Sequence, residues 1–205
     1  MNIAILGGTG RTGRLIIKEL LAKGHKVKCL ARDPDKIAPA FGLEFVKGQA
    51  WEGGKIMLTL TGCDAVVMAL GSVKGSPGDL CSAATALVLS AMVKLGIKRI
   101  VAITSLGVGP SWNQIPPWVK LFFKLFFMKQ IKDKAKQEEL LTASNTLWTV
   151  LRPGGLVDVS VPGALKTGTD NQTPAARVSR QTVAEVTARV LTENEWIHKA
   201  VYLTT

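Results

Sequence analysis

The chain opens on an apolar run, Asn2-Ile3-Ala4-Ile5-Leu6, that passes directly into Gly7-Gly8-Thr9-Gly10-Arg11-Thr12-Gly13. Glycines at i, i+3 and i+6 let the backbone turn tightly, admit close approach of a ligand, and leave the amides of a helix N-terminus free to face negative charge. The spacing is G-x-x-G-x-x-G, not the G-x-G-x-x-G of many NAD dehydrogenases. Its setting carries the argument. Leu15, Ile16, Leu20 and Leu21 follow at helical spacing, and Gly24 stands where that helix would stop. Strand, glycine loop and helix together predict a phosphate cradle made by Gly7, Thr9, Gly10, Arg11, Thr12 and Gly13.

The pattern then repeats. Lys26–Ala31 alternates and closes at Arg32-Asp33-Pro34, and Leu43–Lys47 ends at Gly48-Gln49-Ala50. Residues 64–71 are uninterrupted in their apolar run and read as a strand buried on both faces, followed by a glycine and serine loop over 71–78. A helix over about 82–95 stops at Gly96, a fifth strand at Arg99–Ile103 delivers Thr104 and Ser105, and a helix over 131–143 precedes a sixth strand over 147–151. That strand ends at Arg152-Pro153-Gly154-Gly155; a helix over 182–191 and a strand over 200–203 are expected to close the sheet edge. Strands alternating with helices predict an α/β fold, a doubly wound and mainly parallel sheet with right-handed crossovers. A length of 205 residues suits a single domain over 1–205, with substrate-side elements from about 153. Ligands of such sheets lie along the strands' carboxyl ends. Arg32, Gln49, Ala50, Leu70, Gly71, Thr104, Pro153 and Gly154 therefore join the glycine loop as candidate cofactor contacts.

The net charge of +11 points to anionic partners. Lysine and arginine are spread over the chain, densest from Lys120 to Lys136, without the interleaved stacking aromatics of a nucleic-acid surface. We therefore expect no nucleic acid, and polyanionic small molecules or an anionic membrane surface as the partners of this charge. Cys29, Cys63 and Cys81 are odd in number and far apart, which predicts free thiols, no metal site and a reducing, cytoplasmic setting. The glycine loop interrupts the first apolar stretch, so residues 1–22 do not read as a signal peptide.

At the end of a second strand, a carboxylate accepts hydrogen bonds from the ribose 2′-hydroxyl of NAD, whereas a cation suits the 2′-phosphate of NADP. Arg32 holds that place, with Arg11 and Lys36 able to add to it and Asp33 beginning the turn with Pro34. The expected cofactor is NADPH.

Gly-Gly-Thr-Gly-Arg-Thr-Gly, Leu30-Ala31-Arg32-Asp33, Ala69-Leu70-Gly71, Ile103-Thr104-Ser105 and Leu151-Arg152-Pro153-Gly154 together resemble the NmrA-like, atypical short-chain dehydrogenase/reductase group. Within it the chain is most similar to the biliverdin reductase B / flavin reductase branch, over nearly its whole length. The resemblance implies a nicotinamide near Thr104, Ser105, Pro153 and Gly154, with a substrate stacked over it beside Ser105, Leu106, Trp112 and Arg177. Two departures bear on chemistry. Ordinary members pair a tyrosine with a lysine for proton exchange; here Lys134 holds the lysine position, Gln130 the tyrosine position, and the only tyrosine is Tyr202. Where the related flavin reductase has a histidine after the proline of its sixth strand, this chain has Gly154, and His25 and His198 lie elsewhere.

Without the tyrosine, carbonyl chemistry loses its proton donor. Hydride transfer to a flavin, bilin or quinone survives, because conjugation spreads the incoming charge and solvent supplies the proton. Ser105 is then the candidate catalytic hydroxyl, as a donor or a relay that orients water. The alternative is a redox-sensing regulator that binds NADP without turnover; an epimerase-like activity is disfavoured by the missing tyrosine. A monomer is expected. The apolar, lysine-interrupted segment from Trp118 to Lys129 is too short to span a bilayer. We read it as a buried helix with snorkelling lysines, against a membrane-surface, pocket-covering or partner-binding role.

Overall fold

Parallel strands buried on both faces need apolar side chains above and below, and the first strand, β1 (Asn2–Leu6), supplies them. Ile3 and Ile5 point into one core and Ala4 and Leu6 into another. In a computed structural model, which describes residues 1–71 and 75–205, this alternation organises an eight-stranded sheet. Residues 72–74 of the expected 71–78 loop lie outside the described residues. The strands are β2 (Lys26–Ala31), β3 (Leu43–Lys47), β4 (Ala65–Met68), β5 (Arg99–Ile103), β6 (Leu147–Pro153), β8 (Lys166–Gly168) and β10 (Lys199–Thr204), in the order β3-β2-β1-β4-β5-β6-β10-β8. All pairings are parallel except β10 with β8. A separate parallel pair joins β7 (Gly155–Val157) to β9 (Arg177–Ser179).

Helices α1 (Arg11–Ala22) and α6 (Arg180–Val190) cover the face of Ile3 and Ile5. The other face is covered by α2 (Gly53–Leu60), α3 (Leu80–Leu95) and α5 (Met128–Thr142). The expected doubly wound α/β sheet in one domain is thus the observed one. Three expectations need correction. Strand β10 does not close the sheet, because residues 166–168 return as an antiparallel edge strand too short to leave a periodicity in the sequence. Helix α2 was not anticipated. The third concerns α4 (Pro117–Phe126), which is helical but has no buried residue. Only Val119 and Phe123 turn inward, onto the small cluster of Leu106, Ile115 and Tyr202, since α3 and α5 already cover that side of the sheet.

All three cysteines are buried and free. Burial pushes the Cys29 thiol up to about 12 and the Cys81 thiol up to about 11, and raises Cys63 as well. The folded chain therefore retains protons that the unfolded chain releases, so stability falls as pH rises above the ordinary thiol value towards these raised ones. Urea unfolding should give lower stability at about pH 10 than at about pH 8, and a disulfide reagent at about pH 8 should titrate the thiols quickly only after denaturation.

Candidate functional site

The first six strands present their carboxyl ends along one edge of the sheet, and a cavity of about 470 Å³ runs beside it. Its floor is the glycine loop. Gly7 has φ +89°, and a Cβ on Gly13 would stand 2.2 Å from the Gly7 carbonyl oxygen and 2.7 Å from Gly8 Cα. Only glycines permit this contact, which starts α1 directly under the cavity. Gly10 is the N-cap of α1 and no side chain caps it, so its first-turn amides face the cavity edge. Helix α3 starts at the same edge, on the other face of the sheet, but is closed by the protein itself: the Cys81 and Ser82 amides donate to the Asp133 carboxylate, both at 2.8 Å.

Gly7, Thr9, Gly10, Arg11, Thr12 and Gly13 all line the cavity. So do Arg32 and Lys36 beyond β2. Asp33 does not compete, because its carboxylate pairs with Lys36 at 3.2 Å. Gln49 and Ala50 follow β3 into the same wall, and Gln49 Oε1 is buried without a hydrogen-bond partner. Leu70, Gly71 and Thr104 line it as well, whereas Pro153 and Gly154, also expected as cofactor contacts, do not.

The β5 end is held by a buried network. Thr104 Oγ1 donates to Glu138 Oε1 at 2.6 Å, and Arg152 binds the same carboxylate through Nε at 3.2 Å and Nη2 at 2.6 Å. Arg152 Nη1 also donates to Asn171 Oδ1 at 3.2 Å, tying the loop before β9 to this centre. One turn earlier on α5, Lys134 Nζ donates to the carbonyls of Leu70 at 3.3 Å and Ile103 at 3.1 Å, bridging the ends of β4 and β5 at the cavity wall.

The remaining expected residues do not line this cavity. Ser105 Oγ donates to its neighbour's carbonyl, Leu106 O, at 2.9 Å. The Leu106 amide donates to Pro153 O at 2.9 Å, and the Leu106 side chain is buried with Ile115 and Tyr202. A Cβ on Gly154 would stand 2.0 Å from Ala176 O, so this backbone leaves no room for the histidine of the resembling reductase. Trp112 packs on Phe123 with ring centroids 6.4 Å apart, and Arg177 is exposed at the start of β9. Tyr202 does not stand in for the missing tyrosine: its hydroxyl meets Thr173 Oγ1 at 2.8 Å and donates to Asp170 Oδ2 at 3.2 Å. His25 and His198 precede β2 and β10, at the opposite end of the sheet.

Sequence reading missed Arg180 and Asp158. Asp158 accepts from Arg11 Nη1 at 3.1 Å and from Arg180 Nη1 at 2.8 Å, joining the glycine loop to the start of α6. No local pattern signals a contact between residues so far apart in sequence. Lys134 was noticed by position, yet its bonds to two strand-end carbonyls depend on the packing of α5.

Residues 7–194 match a family described as NAD(P)H-binding. The chain belongs to this family. Among curated relatives, an uncharacterized chloroplastic protein of Arabidopsis thaliana is 29% identical over 98% of this chain and 75% of its own length. The uncharacterized sugar epimerase YhfK of Bacillus subtilis is 27% identical, covering 100% and 94%. A short-chain dehydrogenase/reductase of Veillonella parvula in complex with NADP superposes with a TM-score of 0.85 at 17% identity, covering 100% and 94%. ChuY, an anaerobilin reductase of Escherichia coli O157:H7, superposes at 0.84 with 22% identity, covering 100% and 97%. At such identities the solved structures speak for the fold. The chain binds NAD(P)H, and the cavity fits that group on three counts: a cradle that a Cβ would fill, two cations beyond β2, and an orphaned acceptor at Gln49. Among the described residues no cluster suits a metal ion, and no helix is long and apolar enough to cross a membrane.

Removing one partner of a buried ion pair leaves the other charge unpaired. Glu138→Ala should lower stability by about 3–5 kcal/mol, read by urea unfolding. A loss below about 1 kcal/mol would mean that the Arg152 charge is compensated elsewhere.

Proposed function

We propose that this chain is an NADPH-dependent reductase that delivers hydride to a flat conjugated acceptor, a flavin or a linear tetrapyrrole. The reading is supported by a cavity lined by the glycine loop together with Arg32 and Lys36, cations suited to a 2′-phosphate, and by Gln130 standing where the resembling reductases carry a proton-donating tyrosine. NADPH supplies a hydride when bound. The chain's own contribution is to hold and orient: the open amides of α1 take the diphosphate, Arg32 and Lys36 the 2′-phosphate, and Gln49 Oε1 a donor on the base. The acceptor lies over the β5 and β6 ends, beside Ser105, Leu106, Trp112 and Arg177, with Pro153 and Gly154 next to the nicotinamide. Elements from about residue 153 form the substrate side. Ser105 orients water that returns the proton. The acceptor is a small molecule, the protein acts as a monomer without nucleic acid, and its buried thiols suit a reducing compartment such as the cytoplasm.

A second reading has its own support. The Thr104 hydroxyl donates to Glu138 and that of Ser105 to Leu106 O, so both protons are engaged within the chain. This favours a regulator that binds NADP and changes partners without turnover.

NADPH absorbance, followed with FMN, FAD, biliverdin and a quinone in turn, separates the two. Consumption with at least one is expected; tight NADPH binding with no consumption would leave the regulator. Arg32→Ala should weaken NADPH binding about 10- to 100-fold, as loss of a charge-assisted contact does, and change NADH binding by less than about threefold. Equal wild-type affinity for both cofactors would remove the assignment of Arg32. Ser105→Ala should reduce turnover by about tenfold at unchanged NADPH affinity, below the full effect of a general acid. An unchanged rate would leave Ser105 as a strand-end hydrogen bond.

A further inference from the structure

Helix α4 carries one apolar arc, far broader than the edge it packs against the protein. Val119 and Phe123 face the protein. Trp118, Leu121 and Leu125 recur at helical spacing on the outward part of this arc and are 76%, 61% and 67% exposed, and Phe126, a turn beyond Phe123, is 64% exposed. Phe122 and Phe127 extend this surface, with ring centroids 5.5 Å apart. Lys120 and Lys124 flank it, and Lys129 and Lys132 continue the positive charge onto α5. No acidic residue occurs between Asp79 and Asp133, and the Asp133 carboxylate is buried, spent on the amides of α3.

We propose that α4 docks this chain on an anionic lipid surface, lying in the interface with its aromatic and leucine side chains among the acyl chains and its lysines at the headgroups. A short helix rich in Trp, Phe and Leu with flanking lysines matches that boundary, where apolar burial and attraction to anionic lipid act together. Charge selects this occupant over a second copy of the chain. In a twofold contact this positive patch would meet its own copy, and it carries no carboxylate to answer its lysines. The inference is independent of the reductase reading, because it concerns a surface outside the nucleotide cavity.

The test is co-sedimentation of the full chain with vesicles of phosphatidylcholine alone, or of phosphatidylcholine and phosphatidylglycerol in equal parts. Binding to the mixed vesicles is expected to exceed that to the neutral ones by about tenfold or more and to weaken with added salt. Leu121→Glu with Leu125→Glu should abolish it, while Lys120→Gln with Lys124→Gln should weaken it about tenfold. Leu121, Leu125 and Lys124 are exposed and Lys120 is half-buried over the Trp112 ring, and NADPH binding and the unfolding midpoint check that the fold is kept. Failure of the wild type to bind the mixed vesicles, or undiminished binding by the glutamate variant, would overturn the proposal. So would equal binding to neutral vesicles, or a wild-type dimer in sedimentation equilibrium that the glutamate variant dissolves.

Discussion

The contact between Gly7 and Gly13 sets the position of everything on the functional edge. A helix can begin this close to the strand it leaves only if neither residue has a side chain at the point of contact, and a Cβ on Gly13 would collide with the Gly7 carbonyl at 2.2 Å. Bringing α1 in so tightly aims its amides at the cavity and lets Ile16, Ile17 and Leu20 reach the β1 face. The same few atoms therefore serve both packing and ligand binding. A substitution there would damage both at once.

Helix α5 is the second organiser. Its inward-facing residues act on three separate elements: Asp133 closes the start of α3, Lys134 bridges the carbonyl ends of β4 and β5, and Glu138 gathers Thr104 and Arg152. Charges held inward in this way are tolerable because each is hydrogen-bonded, and Glu138 is also paired with Arg152. Lys134 thus pins two strand ends, with Gln130 one turn before it.

Much of this was legible in the sequence because it is local. The glycine loop, the six parallel strands and the cations beyond β2 each follow from residues near one another, through periodicity or turn chemistry. Leu70, Gly71, Gln49 and Thr104 followed because strand ends converge in a doubly wound sheet. Contacts decided by distant packing were not legible. Asp158 meets Arg11 across 147 positions, and nothing near either residue marks the partner. The apolar segment at Trp118 misled for a related reason: composition suggests burial, but the sheet face it would need was already taken by α3 and α5. Short strands such as β8 carry too few residues to show a period.

Asp158 also changes how the cavity meets its ligand. Arg11, at the edge of the cavity, already holds a carboxylate, which Arg180 steadies from the other side. An arriving nucleotide therefore meets a cation with an internal counter-ion in place, and any new contact with Arg11 takes the form of anion exchange. These ion pairs neutralise part of the positive charge at this edge, making it less attractive to stray anions than the +11 of the sequence implies.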